Sequence, residues 1–150
     1  MTTLLALDPG GTTGWSIHHY SSIAPLTLIA HGQIQHGVDG FCAWWHSHHH
    51  IEAIDEVVSE LFVDDHRTAS PDTTPLRIEG ALTALWGPSW IGQRNTFKLH
   101  APDELLKRHD LWFVGEPHAT DSARHALALL KTRKHYPTLM RFWPPRRGEE

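Results

Sequence analysis

Four side chains in this 150-residue sequence have types and spacing that could bind a metal ion. Asp8 ends an apolar run, Glu79 lies near the C-terminal end of the short segment LRIEG, and Asp121 and His125 lie four residues apart, on one face of a predicted helix. Carboxylate oxygens suit Mg²⁺ or Mn²⁺, and two such ions about 4 Å apart can drive phosphodiester hydrolysis by water. A histidine near neutral pH can bind a metal or carry a proton. These four residues are therefore candidate metal ligands and catalytic groups.

Each of the four residues also has an ordinary structural explanation. Asp8 precedes Pro-Gly-Gly and is a suitable turn residue, and Glu79 can pair with an arginine. Asp121 can cap a helix, and His125 can be a surface histidine. The metal-site hypothesis therefore depends on the fold bringing three distant segments together.

The N-terminal half of the chain predicts a sheet followed by a helix. Residues 3–7 read as a buried central strand, and residues 14–20 and 26–35 as two further strands in an antiparallel meander. Apolar residues at three- and four-residue spacing predict a helix from Asp39 to about Phe62. Residues 76–80 are predicted to be a fourth strand, with Glu79 near its carboxyl end.

The C-terminal half predicts mainly helices. Residues 98–100 are a candidate fifth strand, a short helix begins at Pro102 and ends near His109, and a final helix runs from about Thr120 to Lys134. The order indicates an α/β protein, a mixed sheet with helices on its faces. We expect one domain over residues 1–150, with a basic tail from about 135 to 150.

Composition narrows the possible classes of protein. Cys42 is the one cysteine, which excludes an intrachain disulfide and thiolate zinc sites. The N-terminus does not resemble a signal peptide, and no apolar stretch reaches the ~18 residues of a membrane span. We therefore expect a protein that is neither exported nor membrane-bound and that lies in the cytoplasm, that of the bacterial host if it is phage-encoded.

Positive charge is concentrated near the C-terminus, although the net charge is −4. Residues 122–148 contain no acid, and a segment of this kind can neutralise phosphates, or it can simply be a solvated helix and tail. The glycine-rich turn at residues 10–14 would let a phosphate approach the backbone. Trp86 and Trp90 are candidate stacking partners for unpaired bases. The candidate nucleic-acid contacts are Thr12, Thr13, Arg124, Lys131, Arg133 and Lys134.

Four segments of the sequence resemble the motifs of one nuclease family. LALDPGGTTGWSI, LRIEG, HAPDELLK and HATDSARHALALL are similar, in order and rough spacing, to the motifs of RuvC-like Holliday-junction resolvases, particularly those of bacteriophages. The resemblance implies an RNase H-like fold, a five-stranded mixed sheet whose first three strands are antiparallel. It also implies a metal-dependent endodeoxyribonuclease with Asp8, Glu79 and Asp121 at a Mg²⁺ or Mn²⁺ site, and branched DNA as substrate.

The sequence departs from the family pattern at two places. The bacterial enzymes have two acids three residues apart in the last helix, whereas Arg124 lies three residues after Asp121, so that His125 is the nearest candidate for the fourth role. The segment between Glu79 and Lys98 is short where the bacterial enzymes have a helix used in dimer packing. A homodimer, which symmetric junction cleavage requires, is therefore an open expectation. The alternatives are an RNase H-like nuclease for RNA–DNA hybrids or flaps, and a non-catalytic nucleic-acid-binding module.

Overall fold

A five-stranded mixed sheet forms the centre of the computed structural model, which describes residues 1–48, 53–64 and 66–148. The strand order is β3-β2-β1-β4-β5, in which the first three strands along the chain pair antiparallel and β1, β4 and β5 run parallel. This arrangement confirms the predicted mixed α/β sheet. The strands are β1 (Thr2–Asp8), β2 (Thr13–Tyr20), β3 (Thr27–Ile34), β4 (Glu56–Glu60) and β5 (Trp90–Gln93).

Helices cover both faces of the sheet. Side chains alternate along β1, so Leu4 and Ala6 contribute to one core, and Leu5 and Leu7 contribute to the other. The first core contains residues of α3, α4 and α5, and the second contains residues of α1 and α2. The helices are α1 (Gly37–His48), α2 (Thr74–Trp86), α3 (Asp103–Arg108), α4 (Pro117–Thr132) and α5 (Tyr136–Phe142).

The predicted helix over residues 39–62 is wrong in its second half. Helix α1 ends at His48, residues 49–52 lie outside the described residues, and residues 56–60 form β4 beside β1. Val57 and Val58 are consecutive, β-branched and completely buried, one in each core. A strand covered on both faces has no alternation of polar and apolar residues, and helical spacing can then match it by chance.

The predicted fourth and fifth strands are also misplaced. LRIEG lies within α2, where Pro75 occupies the first turn and Ile78 and Leu82 are buried one turn apart. The fifth strand is β5, and residues 98–100 belong to a 3-10 helix, Asn95–His100. Gly80 was an apparent strand end, but it is an exposed position inside the helix.

The predicted short helix from Pro102 and the predicted final helix correspond to α3 and α4. Pro117 is in the first turn of α4, so that helix begins three residues earlier than expected. The expected basic tail contains α5. Within the described part of the chain, no helix has the length and apolar character needed to cross a membrane.

Candidate active site

Two carboxylates lie side by side where two parallel strands end. Leu7 and Ser59 are paired in register, so Asp8 and Glu60 are the next residues of β1 and β4 at the same sheet edge. Carboxyl ends of adjacent strands are where ligands gather in α/β sheets. Glu60 was not among the predicted site residues, because the sequence pattern predicts a helix over residues 56–60.

Lys98 brings a third carboxylate, that of Asp121, into this cluster. The Lys98 Nζ atom lies 3.1 Å from Glu60 Oε2 and 3.1 Å from Asp121 Oδ2. Lys98 belongs to the 3-10 helix and Asp121 to α4, which packs on β1 and β2. The structure therefore brings together Asp8, Glu60 and Asp121 from three distant segments. Lys98 pairs with Glu60 and Asp121, and the charges of these three residues act on Asp8.

His118 pairs with Asp8 on the open side of the cluster. Its Nδ1 lies 3.0 Å from Asp8 Oδ2, and the side chain is half-exposed. Gly14 makes this contact possible, because a Cβ at that position would lie 1.9 Å from the backbone carbonyl carbon of His118. The glycine expected to admit a phosphate instead admits the first turn of α4. His118 lies three residues before Asp121, whereas the sequence prediction considered only residues that follow Asp121.

His125 lies beneath the cluster and is completely buried. Its Nε2 is 3.6 Å from Glu60 Oε2, and its Nδ1 is 3.2 Å from Oε1 of Gln93, the last residue of β5. Gln93 in turn donates to the His125 carbonyl oxygen. Its burial and these contacts suit His125 to holding the Glu60 carboxylate in place.

Arg124 is committed to internal partners. It donates to Asp121 Oδ1 over 3.3 Å, to Asp103 Oδ1 over 2.8 Å and to the Ala101 carbonyl oxygen, and it is 8% exposed. A guanidinium bound in this way orients Asp121. It has little surface left to present to a phosphate.

The pKa values of Asp8 and Glu60 are shifted in opposite directions. Burial raises the pKa of Asp8 to about 6, against the lowering effects of His118 and Lys98, and the charges of Glu60 and Asp121 raise it further. Burial also acts to raise the pKa of Glu60, but the contact with His125 and the charge of Lys98 outweigh it and lower that pKa to about 2. Negative charge thus accumulates near Asp8 without enough positive charge to balance it.

Glu79 lies on α2, outside this cluster of contacts. Its Oε1 accepts a hydrogen bond from the Phe62 backbone N–H, and burial raises its pKa, partly offset by that bond. Phe62 is two residues after Glu60. Glu79 therefore anchors the segment that follows β4, and Glu60 has the strand-end position predicted for Glu79.

The predicted nucleic-acid contacts are divided between the two ends of the sheet. Thr12 donates to Gln35 at the site end, and Thr13 is completely buried against Gly10. Lys131, Arg133 and Lys134 lie at or just beyond the far end of α4, about 15 Å or more from Asp121 at 1.5 Å per residue.

The two tryptophans predicted to stack on bases pack within the fold, and an arginine that was not predicted lies near the site. Trp86 packs edge-on against Trp45, and Trp90 donates to Ser59 Oγ, so both are engaged within the fold. An exposed arginine, Arg94, directly follows β5 at the same edge as Asp8.

The donor set suits a hard divalent cation. Asp8, Glu60 and Asp121 supply carboxylate oxygens, which Mg²⁺ and Mn²⁺ prefer, and burial, together with the charges of Glu60 and Asp121, raises the pKa of Asp8. Among the described residues, no three His, Cys, Asp or Glu side chains already stand at ligand distance around one point. The ammonium of Lys98 lies between two of the carboxylates instead.

Comparisons with known proteins establish the fold. No family model and no curated protein sequence matches the chain. The RuvC structure from T. thermophilus in complex with a Holliday junction substrate is similar, with a TM-score of 0.66 and 12% identity over 91% of this chain and 98% of that one. A second Thermus thermophilus RuvC structure gives 0.62 and 14% over 89% and 96%. The fowlpox virus Holliday junction resolvase gives 0.56 and 12% over 88% and 99%. The predicted RNase H-like fold of the RuvC kind is confirmed.

Proposed function

We propose that this chain is one divalent-metal-dependent nuclease domain that hydrolyses phosphodiester bonds of branched DNA, with four-way junctions as its substrate. The observation that carries the proposal is the convergence of Asp8, Glu60 and Asp121 at the carboxyl edge of the sheet. A similarly folded protein has been solved with a Holliday junction substrate. In a bacterial cell, such an enzyme would work in the cytoplasm.

In this proposal, Asp8, Glu60 and Asp121 hold Mg²⁺ or Mn²⁺, with His118 beside them. The bound metal would supply the positive charge that activates water and stabilises the leaving oxygen. His125 and Gln93 fix the Glu60 carboxylate from below, and Arg124 fixes that of Asp121.

Lys98 and His118 have roles that follow from their contacts. Lys98 balances Glu60 and Asp121 before DNA binds, and its Nζ can then turn toward the scissile phosphate. His118 contacts Asp8 through Nδ1 and is half-exposed, so it could pass a proton between the site and water. Arg94 would contact the DNA backbone along the same edge.

We further propose that the protein acts as a homodimer, because symmetric cuts in a junction need two paired sites. The exposed side of α1 and α2 is suited to pairing, since Leu76 is 50% and Leu85 is 45% exposed and an apolar cavity of about 250 Å³ lies between the two helices beside Trp45. Sedimentation of the protein and of its Leu85→Lys variant would test this. A dimer that the variant separates is the expected result, and a monomer at all concentrations would contradict it.

Cleavage assays test the proposed activity. A labelled four-way junction, a linear duplex, a flap and an RNA–DNA hybrid would be incubated with Mg²⁺, Mn²⁺ or EDTA, with Asp8→Asn as the control. Paired nicks in the junction alone, lost with EDTA and in the variant, are expected. Cleavage of the hybrid or flap would establish the broader RNase H-like nuclease instead. Binding without cleavage in any metal would establish a non-catalytic module.

A further inference from the structure

The connection between α3 and α4 presents apolar side chains although it is firmly anchored. Phe113 is 8% exposed, stacks on His31 with ring centroids 3.7 Å apart, and its N–H donates to Thr120 Oγ1. Its neighbours Trp112 and Val114 are 39% and 89% exposed. A fixed backbone that holds two large apolar side chains in solvent is typical of a binding surface.

A cavity lies between this connection and α4. Its volume is about 230 Å³, with Trp112, Val114 and Pro117 on one wall and Thr120, Asp121 and Arg124 on the other. Asp121 is also part of the carboxylate cluster, so the cavity opens beside the candidate active site. A second, wider cavity of about 520 Å³ lies on the other side of Arg124, between Lys98 and α3.

The residues that line the cavity indicate which kind of ligand it can bind. A flat aromatic ring with mixed polar and apolar neighbours suits a nucleobase, because base–aromatic stacking needs only the π-face that every base has. The Lys107 ammonium lies 4.7 Å from the centroid of the Trp112 ring, so one face of the ring is covered by a cation and the other remains for stacking. The same ammonium would lie near the phosphate that follows the stacked base.

We propose that this cavity receives one unpaired DNA base next to the scissile phosphate and stacks it on Trp112. The proposal rests on the proposed nuclease function for the identity of the substrate, and it adds a base-binding subsite that requires locally unpaired DNA. Bases in an intact duplex are stacked on each other and are not available to Trp112, whereas branch points expose bases at little cost. The subsite therefore gives the domain a physical preference for branched over linear DNA.

The proposal is tested by a double-mutant cycle in which Trp112→Ala and an abasic nucleotide in the junction are introduced separately and together. In an Asp8→Asn background, which keeps the DNA uncut, dissociation constants would be measured for a four-way junction carrying a single abasic nucleotide at each position around the branch point. Trp112→Ala should weaken binding of the intact junction about 5- to 150-fold. At one abasic position, the same variant should bind as tightly as the parent, because the stacked base is already missing.

The controls separate stacking from structural damage. Trp112→Phe keeps an aromatic face and should restore most of the affinity. Tyr136→Ala removes a 70% exposed aromatic side chain in α5, near the opposite end of the sheet, and should leave the affinity unchanged. Far-ultraviolet circular dichroism of each variant would verify folding.

The outcomes also distinguish this proposal from the proposed function. Penalties for Trp112→Ala and for abasic positions that simply add, or no penalty for Trp112→Ala, would overturn the subsite while junction cleavage by the parent enzyme stands. If the protein binds no DNA of any form, both proposals fail.

Discussion

The carboxylates at the two ends of the sheet are paired with cations in different ways. At the carboxyl end of β1, Lys98 pairs with Glu60 and Asp121, Arg124 pairs with Asp121 and Asp103, and Asp8 contacts His118. At the other end, Glu56 has its own arginine, Arg133, whose Nη1 lies 3.0 Å from each Glu56 oxygen, and Asp55 accepts a hydrogen bond from the Thr3 N–H. Each of these two carboxylates has its own partner, so this end is balanced, whereas the first end has an excess of negative charge.

The charges at the Glu56 end stabilise the fold, whereas those at the Asp8 end are suited to binding a cation. The Tyr20 hydroxyl donates to Glu56, and burial together with that contact raises the pKa of Tyr20 to about 12, so Tyr20 stays protonated near neutral pH. The unbalanced end holds Asp8 with a pKa of about 6. Uncompensated charge near a sheet edge costs stability, and a bound cation would relieve that cost.

The largest expected effect separates the two candidate glutamates. Glu60→Gln should reduce the cleavage rate by about a thousandfold or more, since it removes a metal ligand, about 4 kcal/mol of transition-state stabilisation. Glu79→Gln keeps a group that can accept the Phe62 N–H and should change the rate only a few-fold. Single-turnover cleavage of a labelled junction in Mg²⁺ measures both. A severe loss of cleavage rate in a normally folded Glu79→Gln variant would show that Glu79 is a metal ligand, as the sequence predicts.

Much of the fold was predictable from the sequence, because its strongest signals are local. The apolar run in β1, the meander that follows it and the proline start of α3 were each visible as residue patterns, and α4 was predicted with its start three residues too late. The short strand β4 was not, because a five-residue segment buried on both faces has no periodicity of its own. Its identity depends on pairing with β1, which is about fifty residues away in sequence.

The candidate site was predictable in part for the same reason. Asp8 and Asp121 sit next to clear local signals and are in the cluster. Glu60 and Lys98 depend on the placement of β4 and the 3-10 helix, which local patterns did not give. His118 was overlooked although it precedes Asp121 by three residues, a spacing visible in the sequence. His125 shares a helix face with Asp121, but burial prevents it from reaching solvent.

The second prediction compares the two histidines of α4. His118→Asn should lower the cleavage rate about 10- to 100-fold, as expected for a partner that orients a metal-binding carboxylate. The loss should be smaller in Mn²⁺ than in Mg²⁺, because Mn²⁺ tolerates less ideal geometry. Rates as a function of pH would show whether the pH profile of the parent enzyme changes in the variant. An unchanged rate and pH profile would exclude His118 from the site.

The third prediction concerns stability and pH at the unbalanced end. Because the pKa of Asp8 is raised to about 6 in the folded state, the folded protein binds more protons than the unfolded chain between pH 4 and pH 6. The contribution of Asp8 to the free energy of unfolding should therefore increase by about 1 kcal/mol as the pH falls from 7 to 5. Glu60, with a pKa lowered to about 2, acts in the opposite direction only below about pH 4.5.

The measurement is a set of urea unfolding curves in EDTA for the parent and for Asp8→Asn. The relevant quantity is the difference between the two proteins, because contributions from the groups that they share cancel. The variant should be the more stable at pH 7, and the gap should close toward pH 5. Mg²⁺ should stabilise the parent at pH 7 and have little effect on the variant. A gap that widens toward acidic pH would mean that Asp8 is stabilised as a carboxylate in the metal-free fold.

The smallest expected effect lies at the balanced end. Arg133→Met should reduce the free energy of unfolding by no more than about 1 kcal/mol, because the Arg133 side chain is 39% exposed and water screens its pairing with Glu56. Junction affinity and its salt dependence should not change, since Arg133 lies beyond the end of α4 far from Asp121. Arg94→Met at the site edge is the matched variant, and it should reduce the slope of log affinity against log salt by about 1. If Arg133→Met reduces that slope instead, the basic C-terminal segment contacts DNA as the sequence predicts, and the DNA path extends along α4 from one end of the sheet to the other.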